Sequence, residues 1–267
     1  MLIRSLSAPW RRRPSGVLEI NTPAPLVSGL VALYPLQDHG SIARNLVGDY
    51  GHLTHSSSGA WSGSDDGLVA QFAETTYWRN AAITGTPLGL LSDAKRTYAA
   101  WVRTGASISY QTILEQSDSF AGVTSRLQGN LDGTTMSFVP YYTGASSAYT
   151  TSVRSGAWTL VVGTHDGASA VCYVNGRPAS SGSNTGSPTY GLGNLTVGNL
   201  NAGNAGFGGE GKFVGVWNRC LSDGEVWHLY EHTWEMVRRR TRAPFVMVPA
   251  GGGGGGGSRR ISAGIVA

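Results

Sequence analysis

Charge is scarce in this chain: Asp, Glu, Lys and Arg make up 13% of 267 residues, about half of the usual 25% or so. So little charge beside 8 Trp, 11 Tyr and 6 Phe excludes a disordered polyelectrolyte. Long apolar runs are missing as well, so nothing predicts a membrane-spanning helix. Cysteine is down to Cys172 and Cys220. Two thiols cannot build a disulfide framework, and these form no C-x-x-C pair. Their apolar neighbours predict buried free thiols, with a single bridge between them left open. Sustained helical periodicity is also lacking, because 39 Gly and many Ser and Thr interrupt it. What remains is a turn-rich, mostly β chain, long enough to bury a core.

The net charge of +4 hides a partition. All 16 acids lie between residues 14 and 237, where 10 basic residues leave a formal charge of −6. The other 10 basic residues are arginines at the two ends, with no acid among them. The pI of 9.2 therefore describes the ends and not the body. Three regions follow: an N-terminal basic, proline-punctuated arm over 1–25, a body over 26–235, and a C-terminal arginine-rich arm over 236–267. The second arm carries seven glycines at 251–257, a flexible tether. The stretch before the first arginines is too short for a secretory signal. Arginine outnumbers lysine 18 to 2, which favours bidentate, partly desolvated contacts. The arms also hold apolar anchors, so Trp10, Arg11, Arg12, Arg13, Arg238, Arg239, Arg240, Arg242, Phe245 and Val248 are the candidate partner-binding residues.

The body reads as short strands between turn signals. LVALY (30–34), LVAQF (68–72), TYAAWVR (97–103), TILEQ (112–116), TTMSFVP (134–140), WTLVVGT (158–164), SAVCYV (169–174), LTVGN (195–199) and KFVGVW (212–217) have strand composition. Asp166-Gly167 and Asn175-Gly176 are tight-turn dipeptides that predict two antiparallel connections. Ser222 and Glu225 form an S-x-x-E capping box ahead of Val226, Leu229 and Tyr230, predicting a helix over about 222–233. The expected fold is all-β: a two-sheet antiparallel jelly-roll sandwich with one short C-terminal lid helix and extended basic arms.

The ordered segments LVALYPLQD (30–38), NLVGDYGHLT (45–54), TYAAWVRT (97–104), WTLVVGTHDG (158–167), VCYVNGRP (171–178) and VGVWNRCLSDGEVWHLYE (214–231) resemble concanavalin A-like, laminin-G-like jelly rolls. The last is similar to that family's V-x-N-R-A-L-S-x-x-E-I-x-x-L-Y pattern, with Cys220 in the small-residue place. The resemblance covers about 200 residues. The flanks, MLIRSLSAPWRRRP and RAPFVMVP, resemble those of laminin-G-like proteins encoded by tailed phages and prophages, which implies a virion component. Fold alone never fixes function.

Catalytic chemistry is sparse. Glycosidases of this superfamily carry E-x-D-x-x-E, two carboxylates about 5 Å apart. The pattern is absent, and Glu115 and Asp118 in EQSD have the wrong spacing; Glu115 is expected to face solvent. His52 and His55 lie in a turn and strand with no third ligand nearby, which does not make a zinc site. His165 is expected to be structural. No G-x-S-x-G elbow and no phosphate loop occurs. The expectation is a protein that is not an enzyme and needs no cofactor. The resemblance does imply calcium in the loop NLVGDYG, where family members often carry D-x-S-G-N-x-x-x-G. Asn45 stands where the family has Asp, and Asp49 remains. One carboxylate fewer weakens that case, and an Asx-turn loop competes with it. The resemblance also implies glycans, for which Tyr141, Tyr142 and Tyr149 offer an aromatic platform; Trp61, Tyr77 and Trp78 are further candidates, against ordinary core or interface roles.

Three functions compete on this sequence. One is a phage virion structural or decoration protein, its jelly roll displayed and its arms bound to capsid or tail subunits and to further copies of itself. Another is a carbohydrate-binding host-adsorption module of a tail or head fibre. The third is nucleic-acid binding, against which the acidic body and the missing motifs argue. The first is the expectation, with localisation in the virion after assembly in the host cytoplasm.

Overall fold

The computed structural model describes residue 14 and residues 16–38, 40–56, 61–64, 67–73, 75–89, 95–105, 111–117, 124–129, 135–139, 149–152, 156–183, 193–199 and 206–240. Its strands, in chain order, are β1 (Leu18–Ile20), β2 (Leu30–Tyr34), β3 (Ile42–Ala43), β4 (Leu53–His55), β5 (Trp61–Ser64), β6 (Gly67–Phe72), β7 (Trp78–Asn80), β8 (Lys95–Thr104), β9 (Gln111–Ser117), β10 (Thr124–Gly129), β11 (Thr135–Val139), β12 (Tyr149–Ser152), β13 (Trp158–Asp166), β14 (Ser169–Val174), β15 (Arg177–Ser183), β16 (Asn194–Val197), β17 (Gly209–Trp217) and β18 (Val237–Arg239). One α-helix, α1, spans Asp223–Glu231, and a 3-10 turn over Thr233–Met236 follows it.

Two antiparallel sheets face each other. The front sheet has the order β12-β11-β10-β9-β16-β7-β4-β3, and the back sheet β15-β14-β13-β8-β17-β6-β5. Strand β17 has β8 along one edge; along the other it pairs with β6 through Gly209–Gly211 and with β2 through Val214–Trp217. This sandwich with its helix near the C-terminus is the jelly roll expected from the sequence. Alternation along the strands produces two apolar layers. In β8, Tyr98, Ala100 and Val102 point between the sheets, with Trp78, Leu114, Phe138 and Val214. Ala99 and Trp101 point outward to a second layer with Leu160, Phe213 and Trp217, which Val226 and Leu229 of α1 cover. Two of the buried indole groups find acceptors: Trp101 Nε1 donates to Thr233 Oγ1 at 2.8 Å and Trp217 Nε1 to Leu26 O at 2.7 Å.

The turn signals act as their chemistry requires. Asn175 and Gly176 both have positive φ (50° and 80°), as a type I′ hairpin demands. Asp166 Oδ1 accepts from the amides of Ala168 and Ser169 at 2.8 and 2.7 Å, and these bonds hold its carboxyl below the usual range. Ser222 caps α1 in a complete capping box with Glu225. Cys172 is buried and Cys220 half-buried, and both are free. Burial pushes the Cys172 thiol up to about 12, away from reactivity at neutral pH.

Candidate functional site

Both chain ends meet in one place. β1 pairs antiparallel with β18, register Leu18↔Arg239, Glu19↔Arg238 and Ile20↔Val237. The ribbon is fastened at each end: Asn21 N donates to Met236 O and Arg240 N to Val17 O, both at 2.8 Å. Arg238 Nε reaches Glu19 Oε1 at 2.8 Å. The ribbon's apolar side is buried, with Leu18, Met236 and Val237 in the outer layer beside Trp234. The globule therefore extends into the stretches read as arms, to residues 16 and 240. A cleft of about 730 Å³ lies between this ribbon and the 35–52 segment. Pro14 and Arg240, the outermost described residues of the two ends, line it together with Glu19, Asp38, Arg44 and Asp49. Of the predicted arm residues, Arg238, Arg239 and Arg240 are exposed in or beside β18. Trp10, Arg11, Arg12, Arg13, Arg242, Phe245 and Val248 lie outside the described residues.

The NLVGDYG loop is closed by its own asparagine. Asn45 is buried. Its Oδ1 accepts from Leu33 N at 2.9 Å and Val47 N at 3.0 Å, and its Nδ2 donates to Val47 O at 3.3 Å and Tyr50 O at 3.0 Å. Two amides engage both lone pairs of Oδ1, which leaves none for a cation. An aspartate would turn a second oxygen toward the two carbonyls that Nδ2 now satisfies. Asp49 is fully exposed and stands 3.4 Å from His52 Nε2. This donor set does not fit calcium, which takes six to eight oxygens. His52 also accepts from Asn45 N at 3.2 Å, while His55 is buried edge-on to Trp78. Among the described residues no group of three or more His, Cys, Asp or Glu could hold a metal.

For glycan contacts, Tyr141 and Tyr142 lie outside the described residues. Tyr149 is placed only by its backbone, at the start of β12 opposite Phe138. Trp78 is core. Trp61 is half-buried against it at 4.9 Å and donates to Gly40 O. Tyr77 stacks under the Arg79 guanidinium at 5.4 Å.

The sequence hid a polar row across the front sheet. Register aligns Thr54, Arg79, Thr196, Glu115, Arg126 and Val139 on adjacent strands. Their chain neighbours Leu53, Trp78, Leu195, Leu114, Leu127 and Phe138 point into the core, so the row lies on the outward face. Glu115 was expected to face solvent. It is 2% exposed, on a strand interior to the sheet with Arg126 and Thr196 as register neighbours. Reading strands singly could not reveal this row, since it is a property of register.

The fold has known relatives. The laminin G family model described as the concanavalin A-like lectin/glucanases superfamily matches residues 75–227. None of the curated proteins compared matches the chain. Among solved structures, a Trypanosoma rangeli sialidase superposes with a TM-score of 0.59 at 16% identity, over 77% of this chain and 33% of the sialidase. The chain thus spans about a third of that enzyme's length. Domain 4 of an extracellular arabinanase from Geobacillus stearothermophilus, solved with arabinotriose, gives 0.57 at 17% identity over 75% of this chain and 98% of the domain. The CBM40 of a Ruminococcus gnavus IT-sialidase, bound to α2,3-sialyllactose, gives 0.50 at 16% identity over 61% of this chain and 96% of that module. At these identities the likeness concerns the fold. With the family model covering more than half of its length, and with the sandwich, the Asn-Gly hairpin and the capped C-terminal helix all in place, this chain belongs to the concanavalin A-like lectin/glucanases superfamily.

Proposed function

We propose that this protein is a non-enzymatic structural or decoration protein of a phage virion, a rigid jelly-roll head attached through its two terminal arms to capsid or tail subunits and to further copies of itself. The β1–β18 ribbon carries this reading. It sends both arginine-rich ends out of one pole, so their charges act together on one partner surface while the rest of the head stays free for display. The acidic body supplies complementary surface on neighbouring copies. In this reading Trp10, Phe245 and Val248 bury against the partner surface on assembly and offset the entropy of fixing the arms there. The test is incorporation. The full chain is expected to co-sediment with assembled particles, while a chain trimmed to residues 15–241 stays in the soluble fraction. Normal incorporation of the trimmed chain would overturn arm-mediated attachment.

A second reading is a carbohydrate-binding host-adsorption module. The arabinanase domain and the CBM40 that share this fold were solved with sugars. Glycan-array binding by the full chain supports it; an empty array removes it and leaves the arms as they are.

A further inference from the structure

A second row crosses the outward face of the back sheet, beyond the part that α1 covers. Register places Gln71 of β6 beside Glu210 of β17, Glu210 beside Arg103 of β8, and Arg103 beside Trp158 of β13. Arg103 grips Glu210 through Nε and Nη2. The other carboxylate oxygen, Oε1, accepts from Ser62 Oγ at 3.1 Å. The Arg103 guanidinium lies 5.2 Å from the Trp158 ring centre, and the Lys212 ammonium 4.1 Å from it. Over this row opens a shallow cleft of about 510 Å³.

The cleft's floor is bare backbone from Gly105, Gly156 and Gly209. At two of the three a side chain has no room: a Cβ at Gly209 would come within 2.2 Å of Arg103 O, and one at Gly105 within 2.9 Å of Gly208 O, while Gly156 has open space around it and a φ of +74°. Glycine at 105 and 209 lets the neighbouring main chains come close. The walls offer donors and acceptors together, from Gln71, Arg103 and Glu210, with no broad apolar lining for a lipid or a hydrophobic peptide. The guanidinium is already neutralised by Glu210, so a phosphate or an acidic sugar would meet a carboxylate beside it. An uncharged polyol fits instead. Vicinal hydroxyls can donate to Glu210 and accept from Arg103, while Gln71 does both.

We propose that this row is a binding site for a neutral oligosaccharide. In taking a sugar as its occupant, the site presupposes the carbohydrate-binding reading and gives it a location other than the front sheet. The test uses the full chain on an array of neutral and acidic glycans, followed by calorimetry with cellotriose, xylotriose, maltotriose and, as the acidic control, trigalacturonate. Neutral glycans should bind, and trigalacturonate should not. The double variant Arg103→Ala/Glu210→Ala removes both charges at once, and Gln71→Trp fills the cleft from an exposed position. Each should weaken binding at least tenfold at an unchanged melting temperature. If the double variant does not fold, Gln71→Trp alone decides. Wild-type affinity in a folded variant, or selection of acidic glycans only, overturns the site. If Arg126→Ala abolishes neutral-glycan binding while the back-sheet variants do not, sugar binding stands and this site falls; an empty array removes both.

Discussion

Gly163 has no room for a methyl group. A Cβ there would sit 2.2 Å from Phe138 Cγ and 2.3 Å from its Cδ2. Gly163 lies on β13 and Phe138 on β11, so the phenyl ring of the facing sheet takes the place of a side chain at the glycine. Phe138 is also held edge-on by Tyr98, with ring centres 5.9 Å apart, and cannot swing aside freely. Gly163→Ala therefore overpacks the core and should cost about 2 kcal/mol, seen as a fall in melting temperature of roughly 4–8 °C. A stability equal to wild type would mean that the sheets can separate locally. The sequence shows a glycine inside the strand WTLVVGT, but the ring that requires it is 25 residues away and on the other sheet. Glu115 is a similar case. Its buried position follows from which strands flank β9, and local composition carries no trace of that.

At the scale of elements, α1 is held by its first turn. Arg219 pairs with both oxygens of Glu225 at 2.7 and 2.9 Å and donates from Nε to Ser28 O at 2.7 Å. Arg219, with help from Ser222, lowers the Glu225 carboxyl to about 2. The folded-state value lies below the unfolded one, so the pair's contribution is complete above about pH 4.5 and is lost as pH falls toward 2. Glu225→Gln should destabilise the protein by roughly 1 kcal/mol at pH 7. The gap from wild type should close between pH 4.5 and 2 in denaturant titrations. A gap that persists at pH 2 would assign the effect to packing. The helix itself was legible, because S-x-x-E followed by Val226, Leu229 and Tyr230 is a local signal. So were β2, β6, β8, β13, β14 and β17, whose apolar residues fill the two layers. Strands β15 (RPASSGS) and β10 (TSRLQG) were not legible: they are polar, and neighbouring strands define them more than their own residues do. Arg219 escaped notice because its partners, Ser28 and Glu225, come together only in the fold.

At the scale of the whole molecule, the ends divide into a structural root and an outer part. Residues 16–25 and 236–240 belong to the globule: Leu18, Met236 and Val237 are buried in one layer with Leu26, Trp217 and Trp234. Burying a side chain of this size contributes about 1.5–3 kcal/mol. A chain cut to 26–235 loses Leu18, Met236, Val237 and the ribbon pairing together, roughly 5 kcal/mol or more by that measure. Domains of this kind have about 5–15 kcal/mol in total, so the short chain should melt far earlier or fail to fold. A chain cut to 15–241 keeps the ribbon and should melt with the full protein. The same cut removes Arg11, Arg12, Arg13 and Arg242, so the outer parts can be tested for attachment without disturbing the head. In the attachment proposed above, the two ends leave the ribbon side by side at Val17 and Arg240, which would make binding cooperative between the arms and sensitive to salt, since screening shortens to a few ångströms near 1 M. Particle-bound protein should therefore be released by high salt in a single step. Trimming one arm should move that step to lower salt. Two separate release steps in the full chain would mean that the arms grip different partners.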